Sequence, residues 1–342
     1  SFSTVASVPL WAFAGILLFG TITGSIYNIA IPTLIGLVVP VDRRDRANGM
    51  FGTIIGIAFG ITSVASGVVL AFGGMQLVLA SAVVATAIAV VVLALLPLPE
   101  DIVVRSEHEV GKKVDVKGTL KIVRSIAGLP GLIVFTTFNN FLGGVFFALM
   151  DAYGLSLVSV QIWGFLWGFL SLGFILGGVI IARRGLGMNP LRTLFRVNFV
   201  AWTVCIFFTV QPSIVLLGIG VFIWMTVVPF IEAIEQTILQ RVVPPERLGR
   251  VIGFAHSIEQ SASPLSAFFI GPIAQLIFIP FMTTGRGVEL IGPWFGVGTG
   301  RGIALVFTTA GLVGLCVTAL ATRSKAYRVL SERYLAKEES SE

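Results

Sequence analysis

The sequence predicts an all-α protein of membrane-spanning helices, and three observations predict it. Hydrophobic residues make up 56% of the 342 residues and charged ones 12%, about half the charge of a soluble domain, and mean hydropathy is +0.96. Runs of roughly 20 or more apolar residues recur along the whole length, each long enough to cross a bilayer as a helix. The basic residues lie between these runs in a one-sided pattern. Nine spans, at 8–37, 48–71, 75–97, 131–153, 160–182, 192–210, 213–241, 250–281 and 302–322, put 21 of the 23 Lys and Arg on one side and leave Arg286 and Arg301 opposite. One missed or invented span would scramble that alternation. The bias marks the basic side as cytoplasmic, so the expectation is a multi-pass plasma-membrane protein with a cytoplasmic C-terminus.

The elements follow in order around a loop that occurs twice. Residues 38–49 read V-V-P-V-D-R-R-D-R-A-N-G and residues 242–253 read V-V-P-P-E-R-L-G-R-V-I-G. Val38, Val39, Pro40, Arg43, Arg46 and Gly49 match Val242, Val243, Pro244, Arg247, Arg250 and Gly253 at a constant offset of 204, and Asp42 matches Glu246 in charge. An offset of this size means two related halves rather than a short-repeat solenoid. Duplicated halves with a binding site at their interface are a construction rule of secondary transporters. The second half has three helices before its loop, one leading into it and two after. The first half has one leading in, two after and none before. Symmetry therefore gives an expected twelve helices, of which nine are present. The expected divisions are 1–97 (the remainder of the first six-helix half), 98–130 (a cytoplasmic linker), 131–322 (the second half) and 323–342 (a cytoplasmic tail). The linker is polar, with His108, Lys112, Lys113 and Lys117. Helical alternation over 115–127 predicts a short amphipathic surface helix there. The charged tail from Ser324 is expected to be solvated and frayed.

Residues 5–20 lack the basic flank of a signal peptide, and their apolar run continues too far. Cys205 and Cys316, the only cysteines, lie in apolar segments and give neither a disulfide framework nor metal spacing. There is no metal-ligand cluster, phosphate-binding glycine loop or nucleophile–base pair. An enzyme, a resident cofactor and a nucleotide-driven pump are therefore not expected, and an ion gradient is the expected energy source. The pI near 9.7 reflects the one-sided loops rather than nucleic-acid binding.

The repeated loop, the span count and the basic linker together resemble the major facilitator superfamily over essentially the whole chain. The match is closer to its enterobactin-exporter-like and macrolide-efflux-like drug:proton antiporters. In that branch the fourth helix ends in a pattern like I-P-x-L-I-x-x-x-V-P before an Arg/Ala/Asn-rich loop. Ile31, Pro32, Leu34, Ile35, Val39, Pro40, Arg46, Ala47 and Asn48 carry it here. The tenth helix ends in a pattern like Q-T-x-L-Q-x-x-V-P-x-E-x-x-G-R-V, carried by Gln236, Thr237, Leu239, Gln240, Val243, Pro244, Glu246, Gly249, Arg250 and Val251. Two family signatures depart. The loop after the eighth helix should look like G-x-x-x-D-R-x-G-R-R, but Ala182 stands at the acidic position. The fifth-helix pattern G-P-x-x-G-G keeps Gly67, Gly73 and Gly74 without its proline. The resemblance implies the major facilitator fold and proton-driven efflux of a drug-like compound, as in multidrug resistance. Other expectations for this fold are lysophospholipid or nutrient transport, or a receptor or assembly protein that moves nothing. The expected partners are a small-molecule substrate, protons and membrane lipid, and the expected state is a monomer.

Ionisable side chains at membrane depth cost about 2.5–3.5 kcal/mol on insertion scales, so each needs a reason. Glu232 and Glu235 share a face of one helix. His256, Glu259, Gln260 and Ser263 form a polar stripe on the next. At about 1.5 Å per residue, Glu232 and Glu259 lie roughly 15–18 Å from the loop joining these helices. The proton-coupling candidates are Glu259, Glu232, His256 and Glu235. The alternative role is a latch onto Arg196, Arg247 or Arg250, which suits Glu235 best. Asn139, Asn140, Asn28, Tyr27 and Gln260 are candidates to line a substrate cavity, with helix–helix hydrogen bonding as the alternative for the amides. Arg43, Arg46, Arg247 and Arg250 are candidate gating-loop residues. Gly52, Gly56 and Gly60 mark a close-packing face, and Pro229 and Pro264 mark expected kinks. Trp11, Trp163 and Trp294 are expected interfacial anchors, with Asp151 interfacial beside them.

Overall fold

A computed structural model describes residues 10–95 and 115–339. The linker residues His108, Lys112 and Lys113 lie outside the described residues. In chain order the helices are α1 (Leu10–Val38), α2 (Arg44–Leu95), α3 (Val116–Ser125), α4 (Leu129–Leu155), α5 (Val160–Arg184), α6 (Pro190–Phe207), α7 (Ile214–Val242), α8 (Leu248–Ile273), α9 (Ile279–Thr283), α10 (Gly287–Leu290), α11 (Gly292–Phe295), α12 (Thr299–Thr322) and α13 (Lys325–Glu339). No strand occurs among the described residues.

Each expected span coincides with a helix. The spans 48–71 and 75–97 are the two legs of α2, which leaves helical geometry at Gly74 with φ 66°, a conformation open to glycine. The span 250–281 is α8 continued through a π-turn, Ala274–Phe278, into α9. Six helices among the described residues are long and apolar enough to cross a membrane, and Gly24–Val38 and Gln76–Val92 are shorter apolar stretches. Pro229 and Pro264 do not interrupt their helices.

The sequence repeat is also a repeat of backbone. α1 ends at Val38 and α7 at Val242, and each is followed by a one-turn 3₁₀ helix, Val41–Arg43 and Pro245–Arg247. The next helix starts at Arg44 in one copy and Leu248 in the other, so every boundary keeps the offset of 204. Both breaks have one cause. Pro40 and Pro244 have no N–H to donate and hold φ at −53° and −59°. Their carbonyls then accept from Arg43 N and Arg247 N at 3.0 Å, which closes the turn.

The two sides of the linker meet along α2 and α5. Small residues of α2 face α5 in antiparallel register: Gly49 with Ile181, Gly56 with Ile175 and Gly60 with Ser171. A Cβ on Gly56 would stand 2.9 Å from the backbone nitrogen of Ile175, so glycine there sets the approach of the two backbones. The expected close packing is observed at Gly56 and Gly60, whereas Gly52 faces Pro229 of α7 at 3.4 Å.

Buried apolar side chains form two clusters. One, at the basic-loop end, joins Val123, Leu129, Leu194, Ile238, Leu248 and Leu330. The other, at the far end, joins Phe146, Tyr153, Trp163, Trp202, Phe208 and Phe307. Thr136, Asn139, Asn140 and Asn198 sit at the level between them along α4 and α6. In the far cluster Arg301 is buried, donates to Val210 O at 2.7 Å and Tyr153 Oη at 3.3 Å, and stacks on Phe295.

The surface helix forms as expected. Asp115 caps α3 by accepting from Gly118 N at 2.7 Å, Thr119 and Val123 are buried, and Lys117, Lys121 and Arg124 are exposed. The tail differs from expectation. α13 is an ordered helix that buries Leu330 and Tyr334 in the basic-end cluster. Tyr327 meets Phe195 edge-on, Tyr334 lies under the Arg241 guanidinium, and Ser331 Oγ accepts from Asn189 Nδ2 at 2.9 Å. Tyr327, Leu330 and Tyr334 share one face of the helix, and this stripe turns a charged segment into a docked one.

Candidate functional site

Two features stand at the meeting of the helices, a carboxyl pair and a cavity. Glu235 of α7 and Glu259 of α8 are both buried and lie within electrostatic reach of each other. Thr136 of α4 donates its one hydroxyl hydrogen to Glu259 Oε1 at 2.6 Å. Two acidic side chains and a hydroxyl from three helices thus meet in the buried part of the bundle. Glu232, one turn along α7, and His256, one turn back on α8, lie within electrostatic reach of it. All four proton-coupling candidates are thus brought together. Glu235, the one best suited to a latch, is a full member of the pair.

The cavity, about 590 Å³, opens between α2 and helices α4–α7. That volume is within the range of small-molecule sites, roughly 300–1,000 Å³. Phe59, Phe146, Phe174, Trp163, Trp167 and Trp224 line it, with Glu232 towards the carboxyl pair and Asp151 at the far end. Asp151 accepts from Trp163 Nε1 at 2.9 Å, and Trp163 packs edge-on against Trp167. Trp163 is 5% exposed. It is a cavity wall rather than the expected interfacial anchor, and Asp151 is a cavity residue as well. Trp294 stays exposed, as an anchor would.

None of Asn139, Asn140, Asn28, Tyr27 or Gln260 lines this cavity. Asn139 donates to Phe135 O at 2.7 Å and accepts from Trp202 Nε1 at 2.9 Å, which ties α4 to α6. Asn140 donates to Thr136 O at 3.1 Å. Tyr27 is exposed beside the Phe51 ring, and Asn28 and Gln260 are exposed.

The first repeated loop closes the basic end, through residues next to the candidates. Arg43 is exposed and pairs with Asp42 at 3.6 Å, and Arg46 is exposed. Arg44 instead reaches across, with Nη1 donating to Gln240 O at 2.6 Å and Nε to its own Val39 O at 3.1 Å. Asn48 Nδ2 donates to Thr237 Oγ1 and Gln240 Oε1, both at 2.9 Å, and Gln240 Nε2 donates to Pro32 O at 2.8 Å. Asp45 Oδ2 accepts from Leu186 N at 3.1 Å. That bond falls at the loop where Ala182 lacks the family's acidic side chain, so a carboxylate from α2 stands there after all. Gln240 and Asn48 were in view in the sequence as parts of helix-end patterns. Their pairing across 192 residues was not.

The cavity, the carboxyl pair and the bonds across the basic end lie in one bundle. Among known families, the model described as Major Facilitator Superfamily matches residues 1–267. A search of curated proteins finds no match.

Proposed function

Because this chain belongs to the Major Facilitator Superfamily, a family of membrane transporters, we propose that it exports a small amphipathic compound in exchange for protons. The observation that carries the proton half of the reading is the Glu235–Glu259 pair, buried together, with Thr136 donating to Glu259. A buried carboxyl that meets water on alternate sides can load and release a proton as access alternates. In this reading the compound occupies the aromatic cavity and leaves on the side opposite the basic loops. A proton enters from that side, rests on the pair and leaves on the cytoplasmic side when the basic end opens. The two sides of the linker rock about the α2–α5 seam. The one-sided basic loops support a plasma-membrane location with the tail in the cytoplasm. The branch resemblance in the loop patterns supports efflux.

The test uses the protein reconstituted in liposomes that enclose a pH indicator, with lipophilic test compounds added under an imposed proton gradient. Wild type is expected to move protons only when a transported compound is present. Glu259→Gln and Glu235→Gln should each abolish that coupled movement. Coupled movement that survives both substitutions would remove the pair from the mechanism.

A further inference from the structure

Two neighbouring helices each carry an exposed stripe on the outside of the bundle, and each stripe ends in arginine at the basic end. On α6 the exposed positions are Arg192, Arg196, Val200, Thr203 and Phe207, one face at helical spacing. On α12 they are Thr309, Leu312, Val313, Cys316 and Leu320, and Arg323 follows at the helix end. The two helices pack closely and antiparallel, with Gly311 against Ile206 and Gly314 against Trp202. Counting about 1.5 Å per residue from that last contact, Arg196 lies roughly 9 Å towards the basic end, Arg323 roughly 14 Å and Arg192 roughly 15 Å. α13 brings two more cations to the same level. Its Tyr327 meets Phe195 and its Ser331 accepts from Asn189, so the exposed Lys325 and Arg328 lie beside the first turns of α6. Acidic side chains are missing from these stretches. No Asp or Glu occurs in 152–231 or 290–331, and Glu332, one turn beyond Arg328, is the nearest acid in sequence. Arg196 is the costly member. It stands beyond the first turn of a membrane helix, on the face turned away from the protein, with Val200 and Phe207 further along the same face. A charge so placed calls for a counter-ion from outside the chain.

We propose that this face binds an anionic phospholipid of the leaflet at the basic end. Arg196 and Arg323 hold its phosphate, Arg192, Lys325 and Arg328 surround the headgroup, and its acyl chains lie along the two apolar stripes. Guanidinium groups suit a phosphate because they donate two parallel hydrogen bonds to its oxygens. Basic pockets between membrane helices take anionic headgroups on the same grounds. The stripes decide for a lipid over a free phosphate ion, since a free ion gains nothing from Val200, Phe207, Leu312 and Leu320. They also set this face apart from α3, whose Lys117, Lys121 and Arg124 are exposed on a short surface helix. The site joins α6, α12 and α13, so the lipid fastens the docked tail to the bundle.

The test uses the protein in nanodiscs of mixed dioleoylphosphatidylglycerol and dioleoylphosphatidylcholine, with the lipids it retains on release counted by native mass spectrometry. Wild type is expected to retain phosphatidylglycerol at least about tenfold over phosphatidylcholine. Arg192→Gln with Arg196→Gln and Arg323→Gln should lose that preference. Lys117→Gln with Lys121→Gln and Arg124→Gln removes as much charge from α3 and should keep it. Arg196→Gln alone should lose several-fold and Arg196→Lys should keep most of the preference, so the answer does not depend on how the triple variant folds. Equal retention of the two lipids by wild type overturns the proposal. So does equal loss in the two triple variants, which would make the preference one of overall charge. Displacement of the retained lipid by inorganic phosphate overturns the choice of a lipid.

Discussion

Asn139 shows how a polar side chain in a membrane helix divides its bonds. Its amide nitrogen stays within its own helix and its oxygen takes the indole N–H of Trp202, which is 4% exposed. Trp202→Phe keeps most of the packing and leaves that oxygen without its donor, an expected loss of about 1–3 kcal/mol. Trp202→Phe with Asn139→Leu removes both partners and should recover much of it. Thermal unfolding of the purified variants checks this, and additive losses would mean that the two side chains are not coupled. The sequence shows an amide in mid-helix, which suits a neighbouring helix somewhat better than a cavity but does not name the partner. The choice is made by a tryptophan 63 residues away. The carboxyl pair has the same character. The polar faces of α7 and α8 are visible as stripes, because helical period brings Glu232 near Glu235 and His256 near Glu259. That the stripes turn towards each other, and that Thr136 of a third helix completes them, follows only from packing.

At the level of elements, hydrophobic period and basic bias place every span, and Pro40 and Pro244 place the two breaks. What they do not place is a helix whose apolar stripe is outnumbered by charge. In α13, Tyr327, Leu330 and Tyr334 lie among Lys325, Arg328, Glu332 and Arg333, so composition reads as a solvated tail while the spacing of the three apolar residues reads as a docking face. Leu330 is 1% exposed, and Gly128, at φ 85°, turns the chain into α4 directly beneath it. Leu330→Ala is expected to cost about 2–5 kcal/mol, the usual cost of a buried leucine truncated, and to lower the melting temperature of the whole bundle. An unchanged melting temperature would mean that the tail adds nothing to its stability. The cavity is invisible at this scale for a different reason. Its aromatic residues come from four helices and from Phe208 just after α6, and no helix carries enough of them to stand out against a chain with 27 Phe and 6 Trp.

For the molecule as a whole, the question is what holds the basic end shut. Gln240 makes three side-chain bonds across the seam, two with Asn48 and one to Pro32 O. Gln240→Ala should remove about 1–3 kcal/mol from the closed form, a shift of roughly 5–150-fold in the balance of forms. A single cysteine at Val228 on the cavity wall, in a background without Cys205 and Cys316, reports the shift. Its labelling by a membrane-impermeant maleimide from the basic side should rise in the variant, and unchanged labelling would mean that the closure rests elsewhere. The repeat gives these bonds a further meaning. At an offset of 204, the counterparts of Arg44, Asn48 and Gln240 are Leu248, Ile252 and Gly36. A side chain at Gly36 would have to displace both Leu248, whose Cδ2 lies nearest, and Gln240, whose Cγ lies 2.9 Å from where its Cβ would stand. An ancestor with two identical halves would have made each such contact twice or not at all. The present chain makes it once, so this fastening belongs to the divergence of the copies after duplication. It also has no twin to take over its work, so a change at Gln240 or Asn48 leaves that end to the bonds of Arg44 and Asp45.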